Sequence, residues 1–386
     1  MSPSSRRTGL ETCFFAGLLF TTIASAQNKP RARDLGVPFE GTPGPLNAIT
    51  DVAGVEVGHT TLIEGEYVRT GVTVIWPRGK QSDDPAFGGW FSLNGNGEMT
   101  GTTWVEESGF VDGPVMITNT HSVGVVRDAF IQWQINHERK PATNSFNGNF
   151  WSLPIVAETW DGVLNDVYGL HVKPEHVFHA LDSAKSGEVA EGSVGGGTGM
   201  ICYGFKGGIG TSSRVVAGKQ TYRVAALVQC NCGARRQLRI AGVPVGQEIA
   251  ANPPVASKGA PYREDTGSII IVVATDAPLL PHQLKRLARR ASLGLARTGS
   301  TSGNGSGDIF IAFSTANARV TGSDPVSIMM LPNETLNPIF EATVEAVEEA
   351  IVNAMVAADT MSGFRGSRVT ALPHDRLREA LKKYGR

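Results

Sequence analysis

At 386 residues, 41% of them hydrophobic, the chain is long enough to bury a substantial core as one large domain or two intimately packed ones. Its 35 basic and 36 acidic side chains leave a net charge of -1, which supplies no electrostatic footprint for nucleic acid as a partner. Forty-six glycines exceed the usual share of about 7% and call for many tight turns and close backbone approaches.

The first residues, MSPSSRRTGLETCFFAGLLFTTIASAQ, carry Arg6 and Arg7 ahead of an apolar run, with small residues at Ala24-Ser25-Ala26. That order predicts a secretory signal peptide over 1–26 and export, with the periplasm as first choice. The run is shorter than the roughly 20 residues needed to span a bilayer, and no later stretch is long and apolar enough to do so. The arginine pair is compatible with a twin-arginine route. Signal removal discards Cys13 and leaves Cys202, Cys230 and Cys232. Three cysteines cannot all pair. Cys230 and Cys232 fall two apart on a strand, on the same side, and read as small core residues, with a bond from Cys202 to one of them left open.

NAITDVAGVEVGHTTL and TGVTVIWPRG predict an opening hairpin. GPVMITNTHSVGVVRDAFIQWQI reads as a buried strand, a polar loop and a helix from Val123, and KPEHVFHALDSA as a helix with Pro174 at its first position. YRVAALVQCNCG, SIIIVVATDAP and DIFIAFSTAN are apolar on both faces, as strands between two layers are. PHQLKRLARRASLGLARTG and NPIFEATVEAVEEAIVNAM repeat apolar residues at helical spacing, and the second reads as amphipathic. These elements predict a layered α/β architecture, sheet packed on sheet with helices outside. VGQEIAANPPVASKGAPYREDTG, with three prolines and no periodicity, reads as an exposed loop that ends at Ser268.

Several familiar chemistries are absent. GNGSG at 303–307 precedes a strand and does not form a nucleophile elbow, and no His-Glu-x-x-His occurs. His176 and His179 have helical metal-ligand spacing, yet a solvated helix face explains them, so no metal is required. The glycine-rich stretch 191–213 lacks the Gly-Lys-Ser/Thr ending and the following helix of a phosphate loop, and reads as a tightly packed hairpin.

What stands out is a serine directly after a glycine, between a flexible loop and a rigid strand. If the Gly267-Ser268 bond is cut, Ser268 carries both a hydroxyl and an α-amine. The amine's pKa is about 7.7 to 8.0 against about 10.4 for lysine, so one residue offers nucleophile and base together.

The ordered blocks NAITDVAGVEVGHTTL, GNGEMTG, LPIVAETWDGVLND, ALVQCNCG, GSIIIVVATDAPLLPHQLKRLARRASLGLARTGS and GNGSGDIFIAFSTAN resemble the P1 aminopeptidases of DmpA/BapA type across nearly the whole mature chain. These are serine N-terminal-nucleophile hydrolases that include L-aminopeptidase/D-amidase/esterases and β-aminopeptidases. The resemblance implies a four-layer α/β/β/α sandwich. It also implies one catalytic domain, self-cleaved into an α chain of 27–267 and a β chain of 268–386. Ser268 would be the nucleophile; Ser306 and Asp308 match positions that hydrogen-bond it and its amine, with aspartate where some members carry glutamate. Asn231 matches the donor to the oxyanion, Glu158 the acid that receives the substrate's ammonium, and Trp160 a pocket position held by tyrosine in one member. No cofactor is implied; the substrates would be small peptides, amides or esters, and the assembly a tetramer of αβ units. The rival readings are a self-cleaving acyltransferase, whose β chain would usually begin with threonine, and an uncleaved periplasmic small-ligand binding protein.

Overall fold

The computed structural model describes Met1, residues 29–139, the backbone at 145–146, and residues 149–249 and 267–386. The expected signal peptide, and the loop ahead of Gly267 from residue 250 on, lie outside the described residues. The main elements are β1 (Glu56–Glu64), β2 (Val68–Trp76), β3 (Ala86–Ser92), β4 (Phe110–Val111), β5 (Val115–Asn119), α1 (Val123–Asn136), β6 (Ile155–Thr159), α2 (Pro174–Asp182), β7 (Gly208–Val216), β8 (Tyr222–Asn231), β9 (Ser268–Thr275), α3 (Pro281–Arg297), β10 (Ile309–Ser314) and α4 (Asn337–Val356).

Two main sheets result, one in the order β1-β2-β5-β6 and the other β7-β8-β9-β10-β3-β4, beside three two-stranded pairs among the described residues. Neighbours are antiparallel except β5 with β6 and β9 with β10. Three apolar layers hold these sheets and their helices together. One lies between the sheets, one joins the smaller sheet to α1 and α2, and the largest joins the six-stranded sheet to α3 and α4. The architecture is therefore α/β/β/α, as the apolar-on-both-faces strands require.

Strand β9 shows how the sequence enforces this. Because side chains alternate across a strand, Ile269, Ile271 and Val273 enter the helix-side core, while Ile270, Val272 and Ala274 enter the core between the sheets. Ser268 shares the second parity and so opens toward the space between the sheets. In β8 the same rule sends Cys230, with Cys232 just past the strand, to the helix side, and aligns Asn231 with Ala225 and Leu227. The three thiols are free and buried, with Cys202 Sγ 3.6 Å from Cys232 Sγ, which agrees with their reading as core residues.

One expectation fails in detail. Helix α4 is not amphipathic but buried on nearly every side, including Thr343, Glu349 and Asn353. It packs against β7 and α3, and the segment from residue 29 covers it again, burying Ala32 and Leu35. Its polar residues are satisfied inside. Asn353 accepts from Ala32 N at 3.0 Å and donates to Thr211 O at 3.0 Å. Glu349 accepts from Arg33 at 2.8 Å, Asn47 at 2.6 Å and Arg214 at 2.7 Å. The loop reading of 245–267 also needs correction at its start, where Val245–Glu248 forms a helical turn. His176 and His179 do not converge on a common point. His176 accepts from Lys173 N, capping α2, and His179 meets the Thr60 hydroxyl.

The Glu349 network yields a stability prediction. Burial alone would raise this carboxyl, but Arg33, Arg214 and Asn47 outweigh it and hold it below the ordinary glutamate value. Its contribution is therefore present above the unfolded-state pKa and lost as pH falls through the lower folded value. Glu349→Ala takes away the buried partner of Arg214 and leaves its guanidinium with Glu345 at 3.4 Å and backbone carbonyls; it is expected to cost about 3 kcal/mol, the low end for a broken buried pair, read from the denaturant midpoint.

Candidate functional site

Ser268 begins β9, and its register partner on β8 is Asn231. Both are 5% exposed, at the edge of the core between the sheets. On the other side β10 runs parallel to β9, and the turn before it, 303–308, crosses the start of Ser268. Gly307 N donates to Ser268 Oγ at 3.0 Å. Asp308, wholly buried, accepts from Ile269 N at 3.2 Å and from Ser306 Oγ at 2.5 Å, both on Oδ1. The serine hydroxyl, a carboxylate and a second serine thus converge on one strand terminus.

Asn231 is held by both ends of its amide. Its Oδ1 accepts from Ile201 N at 2.8 Å, and its Nδ2 donates to Trp160 O at 2.9 Å. The first bond places the glycine-rich hairpin, Ile201–Cys202 paired with Phe205–Lys206, directly behind the site. Its Lys206 is enclosed, donating to the Gly207 carbonyl at 2.9 Å, and burial pushes its pKa down to about 7. That is a packed hairpin lysine, in keeping with the rejection of a phosphate loop. Two residues before Asn231, Gln229 Nε2 bonds Thr118 O at 2.9 Å and Thr159 Oγ1 at 2.8 Å, tying the two sheets together beneath the site.

Glu158, near the end of β6, is 3% exposed, which removes the reading of an ordinary surface acid. It accepts from Glu98 N at 3.1 Å and from the Thr120 hydroxyl. Burial raises its pKa; those two bonds and the nearby His121 oppose the rise, and Glu98 adds to it. Trp160, by contrast, is 42% exposed, with a ring free to meet a ligand.

All the residues singled out from the sequence, Ser268, Ser306, Asp308, Asn231, Glu158, Trp160 and Gly267, fall in this one region. The packing of Gly267 explains its identity: a Cβ there would lie 1.8 Å from Asn231 O. Sequence reasoning missed the Gly307 N–H, Thr120 and the buried Asp161, whose carboxyl burial pushes up to about 7 against bonds from Thr70 and Asn165. It also missed Asn94 and Asn96. The signals there were the GNGEMTG block, which holds Asn96, and the repetition of its Gly-Asn-Gly pattern at 95–97 and 303–305.

A buried hydroxyl beside fixed N–H donors and an acid is an arrangement suited to acyl transfer. Comparison with known proteins agrees. The family model described as peptidase family S58 matches residues 47–369. A β-peptidyl aminopeptidase, BapA, of Sphingosinicella microcystinivorans is 55% identical over 96% of each chain. The solved structure of the L-aminopeptidase D-Ala-esterase/amidase of Ochrobactrum anthropi, described as a prototype for the serine aminopeptidases and a variant of the Ntn hydrolase fold, superposes with a TM-score of 0.85. It is 50% identical and covers 93% of this chain and 99% of its own. A β-aminopeptidase of Burkholderia sp. superposes with a TM-score of 0.83 at 48% identity, covering 92% of this chain and 99% of its own. The chain belongs to peptidase family S58, the serine aminopeptidases with this variant of the Ntn hydrolase fold.

Proposed function

We propose that the chain is exported, cleaves its own Gly267-Ser268 bond, and then removes N-terminal amino acids, β-amino acyl groups among them, from small peptides, amides or esters. The observation that carries the proposal is Ser268 at the head of a fully buried strand, its hydroxyl bonded by Gly307 N–H and its strand partner Asn231 alongside. In maturation Ser268 Oγ attacks the Gly267 carbonyl carbon. The C–N bond breaks as the acyl group passes from nitrogen to oxygen, and water hydrolyses the ester to leave a Gly267 carboxylate and a free Ser268 amine.

In turnover the neutral Ser268 α-amine takes the hydroxyl proton as Oγ attacks the substrate carbonyl, and returns it to the leaving amine. Asn231 Nδ2 has one hydrogen on Trp160 O and a second to offer the oxyanion, an interaction typically worth about 10²–10³ in kcat. Asp308, joined to the Ile269 amide and to Ser306, lies where it can receive the new ammonium when the amine is protonated. Glu158 pairs with the substrate's ammonium, which restores the ionised form that burial disfavours, and Trp160 walls the pocket. An anchored ammonium presents only the first acyl bond to Ser268. The relatives' names support the substrate class, since they include β-peptidyl aminopeptidases and an L-aminopeptidase D-Ala-esterase/amidase. The signal-like residues 1–26 support a periplasmic location, and the family resemblance supports a tetramer of αβ units.

Ser268→Ala is expected to give a single uncut chain near 40 kDa with no hydrolysis of β-alanine, L-alanine or D-alanine amides; a variant that still splits in two removes Ser268 from the role.

The pH profile separates the two ionisations. Glu158 is an acid with a raised pKa, so it is charged above that value and protonates as pH falls through it, which weakens ammonium binding and raises KM. The amine acts when neutral, so kcat falls as pH drops through the amine's pKa, whose value for a free α-amine is about 7.7 to 8.0. Glu158→Gln is expected to raise KM at neutral pH and to abolish the acidic rise in KM while keeping the kcat limb, measured as kcat and KM against pH.

A further inference from the structure

Residues 93–98 connect the two halves of the site. On one side they grip the turn before β10: Leu93 N donates to Asp308 O at 3.0 Å, Asn94 Nδ2 to Ser302 O at 3.1 Å and Gly303 O at 2.6 Å, and Asn96 Nδ2 to Gly305 O at 2.9 Å. On the other side Glu98 N donates to Glu158 Oε1 at 3.1 Å, and Thr100 N to Val156 O at 2.9 Å on the strand that carries Glu158. Between these grips stands Gly97. A Cβ there would lie 3.0 Å from Gly307 Cα, 3.2 Å from Gly307 O and 3.3 Å from Glu158 Oε1. Gly307 is packed as tightly from its own side, where a Cβ would lie 2.4 Å from Asn96 O and 2.6 Å from Gly97 Cα. Gly97 therefore separates the residue whose N–H holds Ser268 Oγ from the carboxylate of Glu158, with no side chain between them.

We propose that residues 94–98 are a spacer that sets the distance from the Glu158 carboxylate to Ser268 Oγ, and thereby selects between α- and β-amino acyl groups. The inference rests on the reading of Glu158 as the ammonium partner and Ser268 as the nucleophile. A β-amino acyl group has one more carbon between its ammonium and the reacting carbonyl, a C–C bond of about 1.5 Å. With both ends anchored, that length must match the span. One methylene of mismatch is discriminated by about 10- to 200-fold. The spacer is held at both ends by hydrogen bonds and is backed by glycine-on-glycine contact, so its span is fixed before substrate arrives. It also belongs to the segment before Ser268 while the turn it grips lies after it, so in the cleaved enzyme it would join the two chains at the point where their functional groups must be aligned.

The test is Gly97→Ala, whose methyl group fits only if Gly307 and Glu158 move apart by a few tenths of an ångström. The processed variant is assayed for kcat/KM on β-alanine and L-alanine amides with the same leaving group. That shift of Gly307 from Glu158 is a fraction of the C–C bond by which the two substrates differ, so the ratio of β to α is expected to rise about threefold over that of the unaltered enzyme. A ratio unchanged within about twofold, or one moved toward L-alanine, overturns the proposal. Should Gly97→Ala give no folded protein, Asn96→Ala removes only the exposed tether to Gly305 O. It is expected to leave self-cleavage intact and bring the two rates toward parity, and an undiminished preference overturns the spacer. The outcomes separate the two levels of the argument. If the unaltered enzyme hydrolyses neither amide, or Glu158→Gln leaves KM unmoved, the underlying reading fails and the spacer with it. If Glu158→Gln raises KM on both amides while neither loop variant changes the ratio, only the spacer fails.

Discussion

The arrangement depends on the pairing of β9 with β8 at Ser268 and Asn231. A strand buried on both faces has its register fixed, because a slip of one residue would send Ile270 and Val272 to the helix side and Ser268 away from the space between the sheets. The same register that satisfies the two cores therefore aligns the hydroxyl with the Asn231 amide. The isoleucines behind Ser268 act as a mount: they hold the terminus of the strand still while the groups around it vary. Parallel pairing with β10 then brings the 303–308 turn to the same end of the sheet, since neighbouring parallel strands begin together.

Around that mount the site is built from segments far apart in sequence, each secured by its own backbone bonds. Asn231 is oriented by Ile201 and Trp160, Asp308 by Ile269 and Ser306, and Glu158 by Glu98 and Thr120. Four of these six partners are backbone groups: the N–H of Ile201, Ile269 and Glu98 and the carbonyl of Trp160. Such preorganisation is what makes electrostatic stabilisation effective, because the dipoles need not reorganise as charge develops. The buried Glu158 carries the opposite cost: its charge is disfavoured until a cation arrives, so in the proposed reaction the pocket's affinity and its choice of a free amino terminus have one cause.

Much of this was legible in the sequence. The doubly apolar strands pointed to a sandwiched sheet, Pro174 and Val123 to helix starts, and the Gly267-Ser268 junction to an unusual strand head. The family resemblance supplied Asn231, Glu158 and Asp308, which local chemistry alone could not have separated from ordinary caps and surface acids. What stayed hidden was contact across the fold. Asn94 and Asn96 meet residues more than two hundred positions away, and neither Gly97 nor Gly307 advertises that they touch. Helix α4 misled for a related reason: its glutamates and asparagine gave it a polar face, but Arg33, Arg214 and the segment from residue 29 fold over that face and bury it. Periodicity reports which residues prefer water, and not which find partners inside.

The most direct measurement is the intact mass and N-terminal sequence of the purified protein under denaturing conditions. The account predicts two polypeptides, the smaller one beginning Ser268-Ile269-Ile270 and ending at Arg386. A single uncut chain that nonetheless hydrolyses aminoacyl amides, or a smaller polypeptide that begins at any residue other than Ser268, would contradict it.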